Sequence, residues 1–551
     1  MLKSTSLKNT LNWAFILFIS YSSMQIFAQS TFHGDARRTG YYNSPDIISQ
    51  PVEKWRFITQ GRMFGSPVID NEMLFIGSGD SCLYALNKES GQQIWKFKTK
   101  GEIHSTPAVS NSAIYFLSYD GIFYALNEQT GDLIWTFETQ GEKHYSRKGI
   151  YGWQPSTMEM DDLFDFYLSS AVVGDSLVYF GCGDHNIYAL DKTTGIEKWH
   201  YTTGGVVHSS PALKDGKLLC GSWDRYMYCL DAKTGTELWK FATGADASGF
   251  MQGIIASPCI QDSVAYFGCR DANAYAVNIN TGTKIWSVSN SGSWFQATAT
   301  IADSIVYFGT SDNTCVRAFN ANTGKQIFLR DAKSYVYSSP AATANVLYYG
   351  SFTGWLYAID RNTGAPLWSY QTDASKQNSA ECLTNGRMNW QKTAGSGNLY
   401  QYSTNVYCMD KFLTLGSIVS SPVLDNGVLY ISSADSNLYA FVDSIQSGIG
   451  SKENRYNGIE SFQLMQNYPN PFNPETVISY QLSMNSDVEL TVYDVLGRKV
   501  KTLVNQTQNS GEHSIVWDAR DEKNYPVSSG IYFYQMTTEN QILKKKMLLV
   551  R

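Results

Sequence analysis

Apolar and polar positions recur along residues 54 to 442 with a period near 40, and inside each period they alternate, as in the run from Leu177 to Phe180. A period of two suits strands half-buried in a sheet, and self-similarity of this length marks a repeat fold. Three landmarks return in fixed order. A small-small-Pro step stands at Ser66-Pro67, Ser105-Thr106-Pro107, Ser209-Ser210-Pro211, Ser257-Pro258, Ser338-Ser339-Pro340 and Ser420-Ser421-Pro422, with degenerate copies at Ser169-Ser170-Ala171 and Ala297-Thr298-Ala299. A Tyr-Ala-Leu-Asp-like step comes second, as in Tyr188-Ala189-Leu190-Asp191. Thr-Gly comes third, with a tryptophan four residues beyond the glycine.

Each unit is predicted to hold four strands. The turn between its second and third strands carries Asp80, Asp120, Asp184, Asp224, Asp271, Asp312 or Asp435. Aspartate in such a turn bonds its own backbone and tolerates a left-handed conformation, so these residues are expected to form turns rather than bind metal. The final strands carry Trp95, Trp135, Trp199, Trp239, Trp286, Phe328 and Trp368, but the module after Tyr439-Ala440 has none, while Trp55 stands in a lone strand before the first module. A four-stranded unit by itself leaves edges exposed and a face unburied. Radial stacking, with the strand of Trp55 completing the last unit, resolves both, and predicts an eight-bladed β-propeller.

These residues resemble a known family. Ala-x-Asp-x-x-Thr-Gly-x-x-x-Trp, as in Ala189 to Trp199, is similar to the tryptophan-docking repeat of quinoprotein (PQQ) dehydrogenases and of the propeller lipoprotein that assists outer-membrane protein assembly. The lead-in Phe32-His33-Gly34-Asp35-Ala36-Arg37-Arg38-Thr39-Gly40 also looks like the segment before the first blade of such proteins. The resemblance implies a fold more than a function.

Composition narrows the chemistry. Charged residues are only 17%, and 43 Lys+Arg against 49 Asp+Glu give a net charge of -6, which speaks against a nucleic-acid binder. Lys3 and Lys8, the apolar run from Trp13 to Ile19 and Ile26-Phe27-Ala28 before Gln29 predict a cleaved signal peptide over residues 1–28. No later segment is long and apolar enough to span a bilayer. The predicted layout is a propeller over 29–445, a Gly, Ser and Asn-rich linker over 446–461 and a small immunoglobulin-like β-sandwich over 462–551, with strands at Val477 to Leu482, Val488 to Tyr493, His513 to Trp517, Ile531 to Met536 and Ile542 to Leu549.

That last segment carries Asn467-Tyr468-Pro469-Asn470-Pro471-Phe472-Asn473-Pro474, Val492-Tyr493-Asp494-Val495-Leu496-Gly497-Arg498, Ser529-Gly530-Ile531-Tyr532 and the closing Lys545 to Arg551. It resembles the C-terminal sorting domain of the type IX secretion system, and related flagellar hook-cap modules share the pattern. The resemblance implies the secretion machinery as a partner and an address at the cell surface or outside.

Quinoprotein dehydrogenases of this fold hold PQQ beneath an adjacent Cys-Cys disulfide and use Ca²⁺ with a catalytic Asp. The nine cysteines here include no adjacent pair, so no PQQ, no catalytic residue and no metal site is assigned. Most cysteines are expected to pack as small hydrophobes. Two disulfides stay open as alternatives, Cys220 with Cys229 across a hairpin and Cys382 with Cys408 flanking an insertion.

Candidate binding residues come from the departures from the repeat. The step from Pro107 to Ala171 is 64 residues and that from Pro340 to Pro422 is 82, so about 24 and 42 residues are added, with a smaller addition at Ala245 to Gly253. All three fall between a tryptophan strand and the next Pro step, which places them at one mouth of the channel. The first brings His144, Tyr145, Tyr151, Trp153, Phe164, Phe166 and Tyr167 beside Glu159, Asp161, Asp162 and Asp165; the second brings Arg387, Asn389, Trp390, Gln391, Tyr400 and Tyr402. Aromatic faces beside amides and carboxylates suit a protein or carbohydrate ligand, and equally suit packing of the loops onto the blades. The acidic cluster leaves Ca²⁺ open, although its spacing fits no loop template. The residues opening the inner strands, Phe64, His104, Leu168, His208, Ile255, Gln296, Tyr337 and Val419, form a rim at the same mouth, where His104 and His208 are expected to be solvent-exposed. His104, His208, Tyr145, Tyr151, Trp153, Tyr337, Trp390 and Tyr400 are the ligand-binding candidates. An exported, non-catalytic binding propeller is the leading expectation; a PQQ-dependent oxidoreductase and an envelope assembly scaffold are the alternatives.

Overall fold

The computed structural model describes residues 31–244, 253–444, 463–465, 467, 469–482, 486–509, 511–538 and 542–550, and the chain divides into two compact units, 1–448 and 449–551. The expected signal peptide, most of the Ala245 to Gly253 insertion and the linker lie outside the described residues. No described helix is long and apolar enough to cross a membrane.

The first unit is a β-propeller of four-stranded antiparallel sheets. Sheets 1 to 7 span residues 68–98, 108–138, 172–202, 212–242, 259–289, 300–331 and 341–371, each with its strands in chain order from the inside outward. Sheet 8 takes three strands from Val423–Asp425, Val428–Ser432 and Asn437–Asp443 and its outermost from Pro51–Ile58. In that closing pair Trp55 faces Ala440 and Arg56 faces Tyr439. The edge of the last sheet is thereby occupied by the chain's own beginning.

Each repeated landmark has a physical task. The Trp55 indole donates to the Lys88 carbonyl at 3.0 Å, and Trp95, Trp135, Trp199, Trp239 and Trp286 donate likewise to the next sheet's last turn at 2.7–3.2 Å. The glycine of that turn lies flat against the indole. At Gly195, φ is +73° and a Cβ would sit 2.6 Å from the Trp135 ring, so both the backbone and the contact require glycine. Phe328 keeps the packing without the hydrogen bond, and Trp368, with no Thr-Gly turn beyond it, donates to the Ile47 carbonyl at 2.8 Å.

Each turn aspartate clamps the strand after it. Asp80 accepts from the Cys82 amide at 3.1 Å, the Tyr84 hydroxyl at 2.7 Å and the Gln60 amide at 3.0 Å, and these bonds hold its carboxyl below the usual range against the cost of burial. Asp120, Asp184, Asp224, Asp271 and Asp435 repeat the bond to the tyrosine four residues on. Asp312 accepts from Ser311 instead, because the tyrosine's place in its strand, opposite Phe308, is taken by Arg317, five residues on.

The small-small-Pro steps form the channel wall. The Ser66 amide donates to the Thr106 hydroxyl at 3.0 Å, and the same bond links Thr106 to Ser170, Ser170 to Ser210, Ser210 to Ser257, Ser257 to Thr298 and Thr298 to Ser339, while Ser421 returns to Ser66 at 2.9 Å. Only a short hydroxyl reaches the neighbouring backbone at this radius, which explains the residue type.

The lead-in closes the channel at the far ends of the inner strands. Arg38 is fully buried, and its guanidinium donates to the carbonyls of Phe32, Ser170, Ala171 and Pro211 and to the Thr31 hydroxyl. His33 bonds the Arg38 and Pro340 carbonyls, and burial lowers its pKa.

The second unit packs a three-stranded sheet (Gln463–Leu464, Thr476–Leu482, Gly511–Trp517) and a four-stranded sheet (Ser486–Tyr493, Lys499–Gln508, Gly530–Thr537, Ile542–Leu549) around Trp517, Tyr480, Tyr534 and Met547. The strand Lys499–Gln508 is absent from the expected set, because only Val500, Leu503 and Val504 mark it as apolar.

Candidate functional site

Both described insertions fold over one mouth of the propeller. The first adds a hairpin of Ser146–Lys148 with Glu159–Asp161. The second, where no helix is expected from the pattern, forms α1 (Asp373–Cys382), α2 (Trp390–Ala394) and α3 (Tyr402–Leu413). Thr372 caps α1 by accepting from the Ser375 amide, Asn389 caps α2 through the Lys392 amide, and α3 buries Asn405, Cys408, Met409, Phe412 and Leu413, spaced three and four apart on one face. The insertions hold each other: the Gln154 amide donates to the Tyr400 carbonyl at 2.7 Å and the Tyr402 amide to the Gln154 carbonyl at 3.0 Å.

The end of the first insertion, Asp162 to Leu168, is a stopper. Phe164 meets Trp294 at 5.7 Å and Trp390 at 6.3 Å between ring centroids, and Phe166 stacks on Phe64 at 5.4 Å and meets Phe352 at 5.7 Å. The Tyr167 hydroxyl donates to the carbonyls of Tyr337 and Val419 at 2.8 and 3.1 Å, spanning the channel from the start of sheet 3 to those of sheets 7 and 8.

Two buried ion clusters fasten this stopper. His208, at the start of sheet 4, donates through Nδ1 to Asp165 at 2.8 Å and through Nε2 to Glu142 at 2.9 Å, with all three side chains inaccessible. A single imidazolium therefore ties both ends of the insertion. Burial works against its charge, yet the two carboxylates raise its pKa to about 10. Burial pushes the Asp165 carboxyl up, but the imidazolium reverses this and leaves it below its ordinary value.

Arg270 lies between the Trp223 and Trp294 rings, 4.4 Å from each centroid, bonds the Asp162 carboxylate and donates to the Tyr151 hydroxyl at 2.9 Å. Burial raises the Asp162 carboxyl, whereas Asp162 holds the guanidinium above its usual value despite burial. With three partners converging on the cation, the ionised pair is the form we assign. Tyr145 stacks on Trp223 at 3.9 Å between centroids.

The eight candidate residues are found in these surroundings. His208 is the clasp. His104 is buried rather than a solvent-exposed rim residue, with Nδ1 3.0 Å from the Phe166 carbonyl and Nε2 2.8 Å from Glu102. Burial of both rim histidines is a correction to the sequence reading, and results from the stopper descending onto the rim. Tyr145, Tyr151, Trp153, Tyr337 and Trp390 face other rings or Arg270, the Trp390 indole also donating to the Tyr335 hydroxyl at 3.2 Å. Tyr400 is 74% exposed.

The sequence reading does not single out Arg270, Trp223, Tyr119, Trp294 or Glu142. The first three share one signal. The residue before the turn aspartate is small at Gly79, Gly183, Ser311 and Ala434, but is Tyr119, Trp223 and Arg270 at the other three, side chains far too large for the turn itself.

The acidic residues are taken up by protein partners rather than gathered: Asp162 by Arg270, Asp165 by His208 and Glu159 by Ser146. Among the described residues no group of His, Cys, Asp and Glu is placed to hold a metal ion. All nine thiols are free and buried. The expected facing of Cys220 and Cys229 is corrected by the register: Cys220 pairs with Tyr228 and Leu219 with Cys229, which puts the two thiols on opposite sides of sheet 4. Cys382 and Cys408 share one buried cluster without a bond between them.

Between Phe32 and Tyr167 the channel keeps a chamber of about 30 Å³, lined by the circle of serine and threonine hydroxyls with His104, His208 and Gln296. This holds about two water molecules. A ligand the size of PQQ needs roughly 300 Å³ or more. The residues present do not fit that cofactor: the stopper's own aromatics fill the mouth, and no adjacent cysteines are available.

Residues 50–150, 152–370 and 270–463 match the family model described as outer membrane protein assembly factor BamB, and residues 470–541 match the FlgD Ig-like domain. BamB from Moraxella catarrhalis superposes with a TM-score of 0.53 at 17% identity, covering 71% of this chain and 100% of its own. The quinohemoprotein alcohol dehydrogenase ADHIIG from Pseudomonas putida gives 0.57 at 12%, covering 78% and 82%, and a europium-containing methanol dehydrogenase gives 0.54 at 12%, covering 75% and 98%. At these identities the likeness is one of fold. No curated protein matches the chain.

Proposed function

From the premise that the chain belongs to the outer membrane protein assembly factor BamB family, we propose that it is an exported, non-catalytic propeller that binds a partner at the cell surface through the face built by its two insertions. The stopper carries this reading: a channel mouth filled by Phe164, Phe166 and Tyr167 has no room for a cofactor, so recognition moves to the outer side of the cap. There Tyr400, Tyr407, Met158 and Val406 are exposed. Exposed aromatics with an apolar body and a polar tip suit a protein surface or the face of a sugar ring. The family's name, that of an assembly factor, favours a protein. Delivery is assigned to the amino-terminal signal and to the C-terminal sandwich acting as a type IX sorting domain.

The test is a binding screen of the full chain against surface proteins and glycans, repeated with Tyr400→Ala and Tyr407→Ala. These positions are exposed, so the fold is expected to survive while affinity for the selected partner falls about tenfold or more. Unchanged affinity would remove the cap from the proposal. Dye reduction with alcohols or sugars after addition of PQQ and Ca²⁺ would instead establish an oxidoreductase.

A further inference from the structure

The lead-in does more than close the channel. The innermost strand of each sheet has one edge without a neighbouring strand. In sheet 4, Lys214 pairs with Lys217 across a two-residue turn and Leu213 with Leu218. The pair flanking such a turn exchanges the ladder bonds, which leaves the Leu213 amide pointing off the sheet. It donates to the Ala36 carbonyl at 2.8 Å. The corresponding amides of the next three sheets do the same in sequence: Ile260 to Arg37 at 2.8 Å, Ile301 to Thr39 at 2.9 Å and Ala342 to Gly40 at 2.8 Å. Four lead-in carbonyls thus satisfy four sheet edges, one after another around the ring. At Tyr42, whose own amide donates to the Ala342 carbonyl at 2.8 Å, the series of carbonyls ends, and Ser44 meets sheet 8 only at its turn, accepting from the Gly427 amide at 2.9 Å.

Sheets 8, 1, 2 and 3 have the same edge and no such cap among the described residues, and of these sheets 8 and 1 border a common cleft. Leu424 pairs with Leu429 beside Asp425 and Val428, and Ile69 with Leu74 beside Asp70 and Met73, the register of Leu213 in both cases. Among the described residues neither the Leu424 nor the Ile69 amide has a partner off its sheet. A cleft of about 340 Å³ lies along both, lined also by Thr31, Tyr42, Lys88 and Asp425. The hydroxyl of Tyr42 is buried and without a hydrogen-bond partner among the described residues. Donors left open along a cleft are groups that a guest's polar atoms can bond.

We infer that the cleft across sheets 8 and 1 is a docking slot for an extended peptide segment of a partner protein, read through its backbone carbonyls. The lead-in shows what these edges accept, backbone carbonyls, one or two residues of chain carrying each from one sheet to the next. A guest of about three residues would bring carbonyls to Leu424 and Ile69 and a polar group to Tyr42, extending the lead-in's arc by strand-edge recognition. The slot lies at the ends of the inner strands, whereas the insertions meet their beginnings, so it is separate from the cap.

The probe is a synthetic peptide with the sequence of residues 35–41, acetylated and amidated, added to the full chain. In the free protein, amide hydrogen exchange at Leu424 and Ile69 is expected to be fast compared with Leu213 and Ile260, and the peptide is expected to slow it. Ile69→Pro removes the edge donor without touching a ladder bond and is expected to weaken peptide binding about tenfold, the worth of one hydrogen bond. Tyr42→Phe deletes only the hydroxyl and is expected to weaken binding with the melting temperature unchanged, which covers the case in which the proline variant does not fold. Slow exchange at both amides in the free monomer, equal binding by both variants, or protection by self-association without peptide would each overturn the inference.

Discussion

The Nε2 of His208 donates to Glu142 at 2.9 Å, while its other nitrogen holds Asp165, so the two ends of a long insertion meet on one ring. Removing the imidazolium strands two buried carboxylates. His208→Ala is expected to destabilise the propeller by about 3–5 kcal/mol, measured by urea unfolding at pH 6. The histidine's pKa rises from 6.5 to about 10 on folding, so its contribution is complete below pH 6.5 and is lost as pH climbs through about 10. The wild-type advantage over the alanine variant should shrink across that window. A constant difference from pH 6 to 10 would show that the ring is held neutral.

Arg270 gives a second measure of the same cap. Arg270→Met leaves Asp162 buried without its cation and is expected to cost about 3–5 kcal/mol, whereas pairing it with Asp162→Leu recovers most of the loss. The readout is a double-mutant cycle by chemical denaturation. Near-additivity of the two changes would mean that the ion pair contributes little beyond packing.

Gly195→Ala tests the docking of one sheet on the next. A methyl group there meets Trp135 at 2.6 Å in a left-handed backbone, and the expected cost is about 2–4 kcal/mol from overpacking and strain together. Gly216→Ala, also at positive φ but with open space around it, should cost only about 1–2 kcal/mol. Equal losses in the two melts would show that backbone conformation, and not the indole contact, sets the requirement.

The thiols make a prediction that needs no mutation. All nine cysteines are buried and unpaired, so the native protein should react with none of them within minutes and the unfolded, unreduced protein with nine. Burial also raises the thiols of Cys220 and Cys229 to about 12, which suppresses the reactive thiolate. Seven reactive groups after unfolding would reveal a bond between Cys382 and Cys408.

The ring was legible because its rules are local and repeated. Tryptophan four residues beyond a glycine and aspartate four before a tyrosine each encode one contact, and most copies repeat the statement. The orphan strand of Trp55 needed only a count. The cap was not legible in the same way, since it depends on single meetings between distant residues: nothing near His208 announces Glu142, and Arg270 finds Asp162 only after the loop has crossed the mouth. The helices of the second insertion lacked an apolar stripe strong enough to stand out, α1 least of all, as it buries only Ser375 and Cys382. Lys499–Gln508 was missed because its lysines and glutamines mask the alternation.

The pairing of Trp55 with Ala440 also sets an order of events during synthesis. Within the propeller the latch strand is made before all the sheets and its mate after seven of them, so seven sheets must wait in an open arc with an unguarded margin until the eighth emerges. A nascent chain halted just before Asn437 would display both margins at once, and is where a chaperone would find most to hold.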